Sequence, residues 1–380
     1  MKRRISALFM VLIMLVPTAA IKGASGDVSA ASEPAAFVLI EADTGTVLEE
    51  NCSRTPMNAG YLSKLMAVLL IAEDIEEGKF SLDTDLTASE SVRGTKGSVV
   101  WLEPGDRMTV DELLKSVIIG NANDAMTVLA EASAQTVDDF VLRMNAEAFD
   151  LGLRDTSFYS PYGYYDEREN TTAANLAVIC AELSKREVLK SYFAIWRDFV
   201  KEGSVELVSE NYLAHTYKKH CGFKAAHSER SGYCIAEGAR GENGTCYIAV
   251  VLGAEDDETA RTAARSLCDK GFSGYKVTAT MFPDEMIAPV KIRHGIDTAV
   301  EIKLEKQGEL ILPRDSGELR TVVILPYYLE APVREGQKVG SAAFYNGKTL
   351  VYESDIVAAG SVNELTFGYI LTQMLLKMIE

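Results

Sequence analysis

The stretch MNAGYLSKLMAVLLIAEDIEE, residues 57–77, contains the pattern on which the predicted fold depends. Leu62, Leu65 and Leu69 recur at helical spacing within a strongly apolar segment, which predicts a buried helix. Lys64 lies near the start of this helix. Burying a lysine is costly unless it has a partner or a chemical role. The sequence therefore singles out Lys64 as a candidate functional residue.

Length and composition predict an exported globular protein. The chain has 380 residues, of which 47% are hydrophobic, and this is enough for two domains and a large core. Residues 1–30 combine early basic residues, an apolar run and small residues before Ala30, which is the layout of a secretory signal peptide. A retained N-terminal anchor is the alternative, although the apolar run is short for a membrane span.

The charge and the cysteines limit the predicted partners. The formal net charge is −17, and because residues 1–30 carry +3, the rest of the chain carries −20. Such an acidic surface argues against nucleic acid as a partner and against electrostatic docking on an anionic membrane. The six cysteines form no C-x-x-C pair and no cluster with histidine at metal-ligand spacing, so we predict neither a metal nor a cofactor. The sequence specifies no disulfide bond.

Local signals predict an α/β region followed by a β region. A hairpin is expected around Asp43-Thr44-Gly45, and Thr109 with Glu112 forms a capping box for a helix over 110–118. Further helices are predicted at 125–134, 137–151, 172–189 and 259–270. β-like segments are predicted at 217–223, 232–238 and 245–254. Short alternating segments then predict a small all-β domain over 283–362.

The tail, residues 363–380, is predicted to be a single helix, apolar except for one polar stripe. At about 1.5 Å per residue it is near the minimum length for a membrane span. It fits a helix in contact with a membrane surface, and it equally fits a helix docked on its own protein.

Four stretches together carry a resemblance to a known family: FVLIEADTGTVL (37–48), GSVVWLEPGDRMTVDELLKSVIIGNANDA (97–125), FVLRMNAEAFDLGLRDTSFYSPYG (140–163) and GYCIAEGARGENGTCYIAVVLGA (232–254). The chain resembles the serine-type D-alanyl-D-alanine carboxypeptidases, the low-molecular-mass penicillin-binding proteins of the bacterial cell wall. The resemblance implies an α/β fold over 31–278, with an antiparallel sheet flanked by helices, followed by the small all-β domain and a C-terminal amphipathic helix. It also implies an exported cell-envelope protein that meets peptidoglycan stem peptides.

The family works by acyl transfer with three motifs in one cleft. In S-x-x-K, serine and lysine share a helix face, so the amine can take the hydroxyl proton. S-x-N passes protons and holds the substrate amide, and K-T-G on an edge strand binds the substrate carboxylate beside the oxyanion site.

The first motif departs from the family at the nucleophile. It aligns on Tyr61-Leu62-Ser63-Lys64, so the lysine is present and a tyrosine replaces the serine. A phenol oxygen lies beyond a whole ring and cannot take the place of a serine hydroxyl. Ser63 is adjacent to Lys64, about 100° around the helix, and is expected to face away from its working side.

The second and third motifs depart as well. The second aligns on Asn121-Ala122-Asn123, which keeps the asparagine and lacks the serine hydroxyl. The third is aligned on His220-Cys221-Gly222, where histidine is charged only part of the time near neutral pH and cysteine lacks the threonine hydroxyl. Lys64 and Asn123 are thus the retained catalytic positions, and the candidate binding positions are Ser63, Asn121, His220, Cys221 and Gly222.

Three functional hypotheses remain open. The first is a catalytically inactive homologue that binds a stem peptide, a muropeptide or an envelope partner, since loss of the nucleophile removes nearly all covalent catalysis. The second is a working hydrolase with an unconventional nucleophile such as Tyr61 or Cys221. The third is a structural or regulatory envelope protein that does not recognise peptide.

Overall fold

The computed structural model describes residues 34–163, 166, 168–279, 288–306 and 308–378. The predicted signal peptide over 1–30 lies outside these residues, and so does most of the boundary predicted between the two domains.

A 3₁₀ turn, Gly60–Ser63, leads directly into the first helix of the described residues. Their bounds are α1 Lys64–Glu76, α2 Val110–Ile118, α3 Asn123–Ala134, α4 Val137–Asp150, α5 Ala173–Lys185, α6 Lys190–Phe193, α7 Leu213–Thr216, α8 Asp257–Gly274 and α9 Phe367–Lys377. The strands before residue 280 are β1 Ala36–Glu41, β2 Val47–Asn51, β3 Asp85–Thr87, β4 Arg107–Thr109, β5 Arg197–Val200, β6 Val205–Val208, β7 His220–Ser228, β8 Gly232–Arg240, β9 Cys246–Ala254 and β10 Tyr275–Ala279. The later strands are β11 Val290–Arg293, β12 Ala299–Val300, β13 Ile302–Leu304, β14 Glu309–Pro313, β15 Leu319–Ile324, β16 Tyr328–Glu330, β17 Lys338–Asn346 and β18 Thr349–Ala358.

A five-stranded antiparallel sheet organises the first region, with the strand order β2-β1-β9-β8-β7. Successive residues of a strand point to opposite faces, and β9 shows this clearly. Val250 and Leu252 join the core shared with α1 and α5, whereas Ala249 and Val251 join the core beneath α8. The sheet is therefore covered by helices on both faces, as predicted, and β7 is one of its two edge strands.

Helix α1 lies at the centre of the helical part of this region. Ten of its 13 residues are buried, and it packs against α2, α3, α4 and α5. This confirms the prediction of a buried helix over the quoted stretch. Because α1 is enclosed on all sides, the position of Lys64 at its first turn is fixed by the surrounding core.

A local capping signal predicted the start of one helix, α2, correctly. Thr109 and Glu112 form both hydrogen bonds of a capping box, and α2 has the predicted bounds. Helix α3 begins at Asn123, two residues earlier than predicted, so the second motif overlaps its first turn. The hairpin of β5 and β6 was not predicted, and β7 continues five residues beyond the predicted strand end.

The second region is all-β, as predicted, with its own apolar core of residues drawn from β11 to β18. Its largest sheet has the order β13-β18-β17-β15, and β14 pairs with β10 at the end of the first region. Helix α9 follows within the predicted tail, and Phe367, Met374 and Leu375 on it are more than half exposed.

Candidate active site

Lys64 is enclosed at the point where α1 meets the edge of the sheet. The 3₁₀ turn before it packs against β7. The lysine is 0% exposed, its Nζ donates a hydrogen bond of 3.0 Å to the carbonyl oxygen of Tyr162, and the ring centroid of Tyr61 lies 4.5 Å from Nζ. Burial, followed by repulsion from Lys224, lowers the pKa of Lys64 well below its usual value. The amine is therefore closed off from solvent and weakly basic.

A glycine makes this enclosure possible. Gly163 has φ +70°, and a Cβ on it would lie 2.1 Å from the carbonyl oxygen of Gly60. Only glycine fits at such a contact, so the chain after Tyr162 passes directly over the turn before Lys64. This close approach is what brings the Tyr162 carbonyl onto the lysine amine.

Ser63 points towards Glu169 and does not contact the lysine amine. Its Oγ donates to Oε1 of Glu169 over 2.5 Å, and both side chains are buried. Burial raises the pKa of Glu169 to about 7, against the opposing effect of the hydrogen bond from Ser63. The Oε2 atom of Glu169 is buried and has no hydrogen-bond partner in the described part of the chain.

The second motif lies between α2 and α3. Asn121 adopts φ 60° and its Nδ2 donates to Glu210 over 3.3 Å. Asn123 is 0% exposed and its Nδ2 donates to the carbonyl oxygen of Lys96 over 2.7 Å. The Oδ1 atoms of both asparagines are buried and lack a hydrogen-bond partner among the residues described. Asn123 is connected to Lys64 indirectly, because Thr127 bonds both its carbonyl oxygen and the hydroxyl of Tyr162.

The structure does not place His220 beside Lys64. Nδ1 of His220 lies 2.8 Å from Glu237, and Nε2 donates to the carbonyl oxygen of Phe193 over 2.9 Å. Burial opposes its protonation, but the hydrogen bond and charge of Glu237 raise its pKa overall. Cys221 contacts Cys246, and Gly222 packs against the Phe193 ring. These three residues lie at the start of β7, and the strand bulges at Cys221, between His220 and Gly222.

Lys224 is the residue of β7 that interacts electrostatically with Lys64. It is 4% exposed, and its Nζ donates to the carbonyl oxygens of Val117 and Ile118 over 3.1 and 2.8 Å. Burial lowers the pKa of Lys224 to about 8. Glu210 opposes this shift in both lysines, and it also holds Asn121. Lys64, the second motif and β7 therefore converge, with Lys224 as the contribution of β7.

Sequence reasoning missed Lys224, Glu169 and Glu210. The predicted strand ended at Phe223, so Lys224 was not considered part of the edge strand. The available signal was a lysine followed by two small residues, Ala225 and Ala226, ahead of the next strand. Glu169 carried no such signal, because its partner Ser63 is 106 residues away in the sequence.

The arrangement fixes what the site can do chemically. Acyl transfer needs a hydroxyl or thiol within reach of a base and of the substrate. The ring of Tyr61 lies beside the lysine amine and its phenol oxygen lies at the far end of that ring. The hydroxyl of Ser63 is buried against Glu169. Within the described ranges, no group of three histidine, cysteine, aspartate or glutamate side chains could hold a metal ion.

Two family models together match most of the chain. A model described as D-alanyl-D-alanine carboxypeptidase matches residues 23–256, and one described as the C-terminal domain of penicillin-binding protein 5 matches residues 275–364. The D-alanyl-D-alanine carboxypeptidase DacF of Bacillus subtilis is 30% identical over 97% of this chain and 96% of its own length. DacC of Escherichia coli is 26% identical over 96% of this chain and 93% of its own length.

Solved structures agree on the fold. A crystal structure of penicillin-binding protein 5 from Haemophilus influenzae superposes with a TM-score of 0.80 at 22% identity, covering 89% of this chain and 100% of its own. Penicillin-binding protein 6B from Escherichia coli gives 0.72 at 20% identity, covering 87% and 98%. The predicted resemblance and the α/β fold with a following β domain are confirmed, and the chain belongs to the D-alanyl-D-alanine carboxypeptidase family of low-molecular-mass penicillin-binding proteins.

Proposed function

We propose that this protein is a catalytically inactive member of its family that binds peptidoglycan stem peptides, or an envelope partner, without forming an acyl-enzyme. One observation carries the proposal. Tyr61 occupies the nucleophile position, three residues before Lys64, and its ring lies 4.5 Å from an amine that is 0% exposed. The space in which a serine hydroxyl would face the lysine is therefore filled by an aromatic ring.

The other two motifs support the same conclusion. We assign the third motif to Lys224-Ala225-Ala226, because Lys224 is the lysine of β7 that approaches Lys64. The hydroxyl of a family K-T-G is then absent at Ala225. At the second motif Asn121 replaces serine, and its amide is held by Glu210. The hydroxyls that the family uses for acylation, proton passage and carboxylate binding are thus all missing.

A binding role is supported by unused hydrogen-bonding capacity. The Oδ1 atoms of Asn121 and Asn123 are buried without a partner among the described residues. Buried acceptors of this kind are costly unless something satisfies them. The backbone amides and amine groups of a bound peptide are donors of the required type. The alternative of a working hydrolase is favoured by no comparable contact.

Labelling with a fluorescent penicillin tests the loss of catalysis. The purified protein is incubated with the reagent and, separately, with a peptide ending in D-Ala-D-Ala. We expect no covalent adduct and no released D-alanine. A covalent adduct, or release of D-alanine in at least equimolar amount to the protein, would overturn the proposal. Peptide mapping would then identify the residue that acts as the nucleophile in place of the serine.

Isothermal titration with muropeptides tests binding. We expect saturable binding by the native protein. Asn123→Ala should lose at least tenfold in affinity, because the peptide N–H group that donates to Oδ1 of Asn123 would be left without an acceptor. Ser273→Ala is a matched control on an exposed hydroxyl far along the chain, and it should bind like the native protein. No detectable heat with any muropeptide would contradict peptide binding and leave an envelope partner as the ligand class.

We further propose that the protein is exported and works at the outer face of the membrane or in the cell wall. The supports are the signal-peptide pattern of residues 1–30 and the exposed apolar side chains of α9. None of the described helices is long and apolar enough to cross a bilayer. The exposed apolar side chains of α9 lead us to propose that residues 363–380 contact a membrane surface.

A further inference from the structure

The thiols of Cys221 and Cys246 touch each other. Their Sγ atoms are 3.7 Å apart although the residues are 25 positions apart in the sequence, and both cysteines are unbridged. This contact lies outside the cluster around Lys64 and has no part in the function proposed above.

The contact depends on two irregular features of the sheet. Cys221 is the bulged residue between His220 and Gly222 of β7, and Cys246 begins β9, with β8 between the two strands. Neighbouring strands are about 4.8 Å apart, so residues two strands away are normally about 10 Å apart. Gly238 of β8 has no side chain, and a Cβ there would lie 3.3 Å from Sγ of Cys221. The glycine leaves the space through which Cys221 reaches across β8.

The two thiols differ in access and in charge. Cys221 is half-buried and lines a small cavity of about 110 Å³, together with Lys190 and Arg240, whereas Cys246 is 1% exposed. The hydrogen bond from Cys246, aided by the charge of Arg240, lowers the pKa of Cys221. The same hydrogen bond and burial raise the pKa of Cys246. Thiolates are the reactive form of cysteine, so Cys221 is the first of the pair to react.

We propose that Cys221 and Cys246 form a redox-active pair, in which Cys221 reacts with low-molecular-weight disulfides and Cys246 resolves the product to an intramolecular disulfide. In the first step the Cys221 thiolate attacks one sulfur of the small disulfide. The S–S bond of that molecule breaks, one half leaves and takes up a proton, and the other half stays on Cys221. In the second step Cys246 attacks Sγ of Cys221, its proton goes to the second leaving thiolate, and two small thiols have been released.

The cross-link requires the two sulfur atoms to come closer together. The sulfurs must approach by about 1.7 Å, from the observed 3.7 Å to a bond of about 2.05 Å. The bulge at Cys221 and the turn between β8 and β9 are the places where the backbone can provide this. The cross-link would lie three residues before Lys224 on β7.

Intact-mass analysis of the full chain tests the proposal. The exposed Cys52 is first replaced, Cys52→Ser, because it would react on its own. The folded protein is treated with oxidised glutathione, quenched by alkylation and digested without reduction. We expect a loss of two hydrogen atoms and a cross-linked peptide containing Cys221 and Cys246. Adding Cys246→Ser should stop the reaction at one glutathione bound to Cys221.

The controls separate the pair from the other buried thiols. Cys234→Ser removes a buried cysteine whose Sγ donates to the carbonyl oxygen of Ser231 over 3.4 Å, and it should leave the cross-link unchanged. Glutathione that remains on Cys221 in the presence of Cys246, or both cysteines recovered fully alkylated, would overturn the proposal. Peptide mapping of the parent protein gives this answer even where a serine variant does not fold.

Discussion

Replacement of Lys224 by methionine should change how the stability of the protein depends on pH. Burial lowers the pKa of Lys224 from 10.5 to about 8, so the folded state binds fewer protons than the unfolded state between these values. Stability therefore rises as the pH increases through this window. A shift of about 2.5 pKa units corresponds to about 3.4 kcal/mol, and since the side chain is only 4% exposed, little is lost to solvent screening.

The assay is urea unfolding at four pH values between 7.5 and 10.5, for the native protein and for Lys224→Met. At pH 7.5 the two should differ little, because the variant avoids the burial of a charge but loses hydrogen bonds to two carbonyl oxygens, each worth about 1–3 kcal/mol. Towards pH 10.5 the native protein should gain about 3 kcal/mol relative to the variant. Lys218→Met, at an exposed site, is the control and should follow the native curve. Parallel curves for Lys224→Met and the native protein would refute the reasoning.

Three further outcomes can be checked. Glu169→Gln should stabilise the protein by about 3 kcal/mol above pH 7, measured by urea unfolding. Burial raises the pKa of Glu169 from 4.5 to about 7, so the stability of the native protein falls as the pH rises through that range. Equal stability of the native protein at pH 5 and pH 8 would contradict this. Asp74→Ala should lower the free energy of unfolding by about 2–4 kcal/mol, because it removes the buried partner of Arg143. Asp85→Ala, in an exposed pair, should lower it by less than about 1 kcal/mol. Thermal unfolding that ranks the two variants in the opposite order would contradict this. Removal of residues 366–380 should abolish co-sedimentation with lipid vesicles, and unchanged sedimentation would exclude α9 as the contact.

Elements with strong local signals were predictable from the sequence. The capping box of Thr109 and Glu112 fixed the start of α2, and the apolar run after Lys64 predicted the buried helix. The terminus of β7 was not predictable in the same way. Lys224 is a charged residue within an otherwise strand-like segment, and only the fold shows that its amine is buried against the end of α2.

The site was predictable where it is local and not where it depends on distant segments. Tyr61 and Lys64 lie in one turn, so their relation could be expected from the helical repeat. The pairing of Ser63 with Glu169, and the shared use of Glu210 by Asn121 and two lysines, join segments far apart in the chain. No periodicity within a single segment reports such contacts.

The ring of Tyr61 over Lys64 also bears on evolutionary reversibility. Restoring a serine at this position would leave an empty space beside an amine already bound to the Tyr162 carbonyl. Under the proposed motif assignment, the hydroxyls would also have to return at Asn121 and Ala225. Under the proposed loss of catalysis, several substitutions would be needed to assemble the family's acyl-transfer site, and selection for catalysis could not favour the first of them alone.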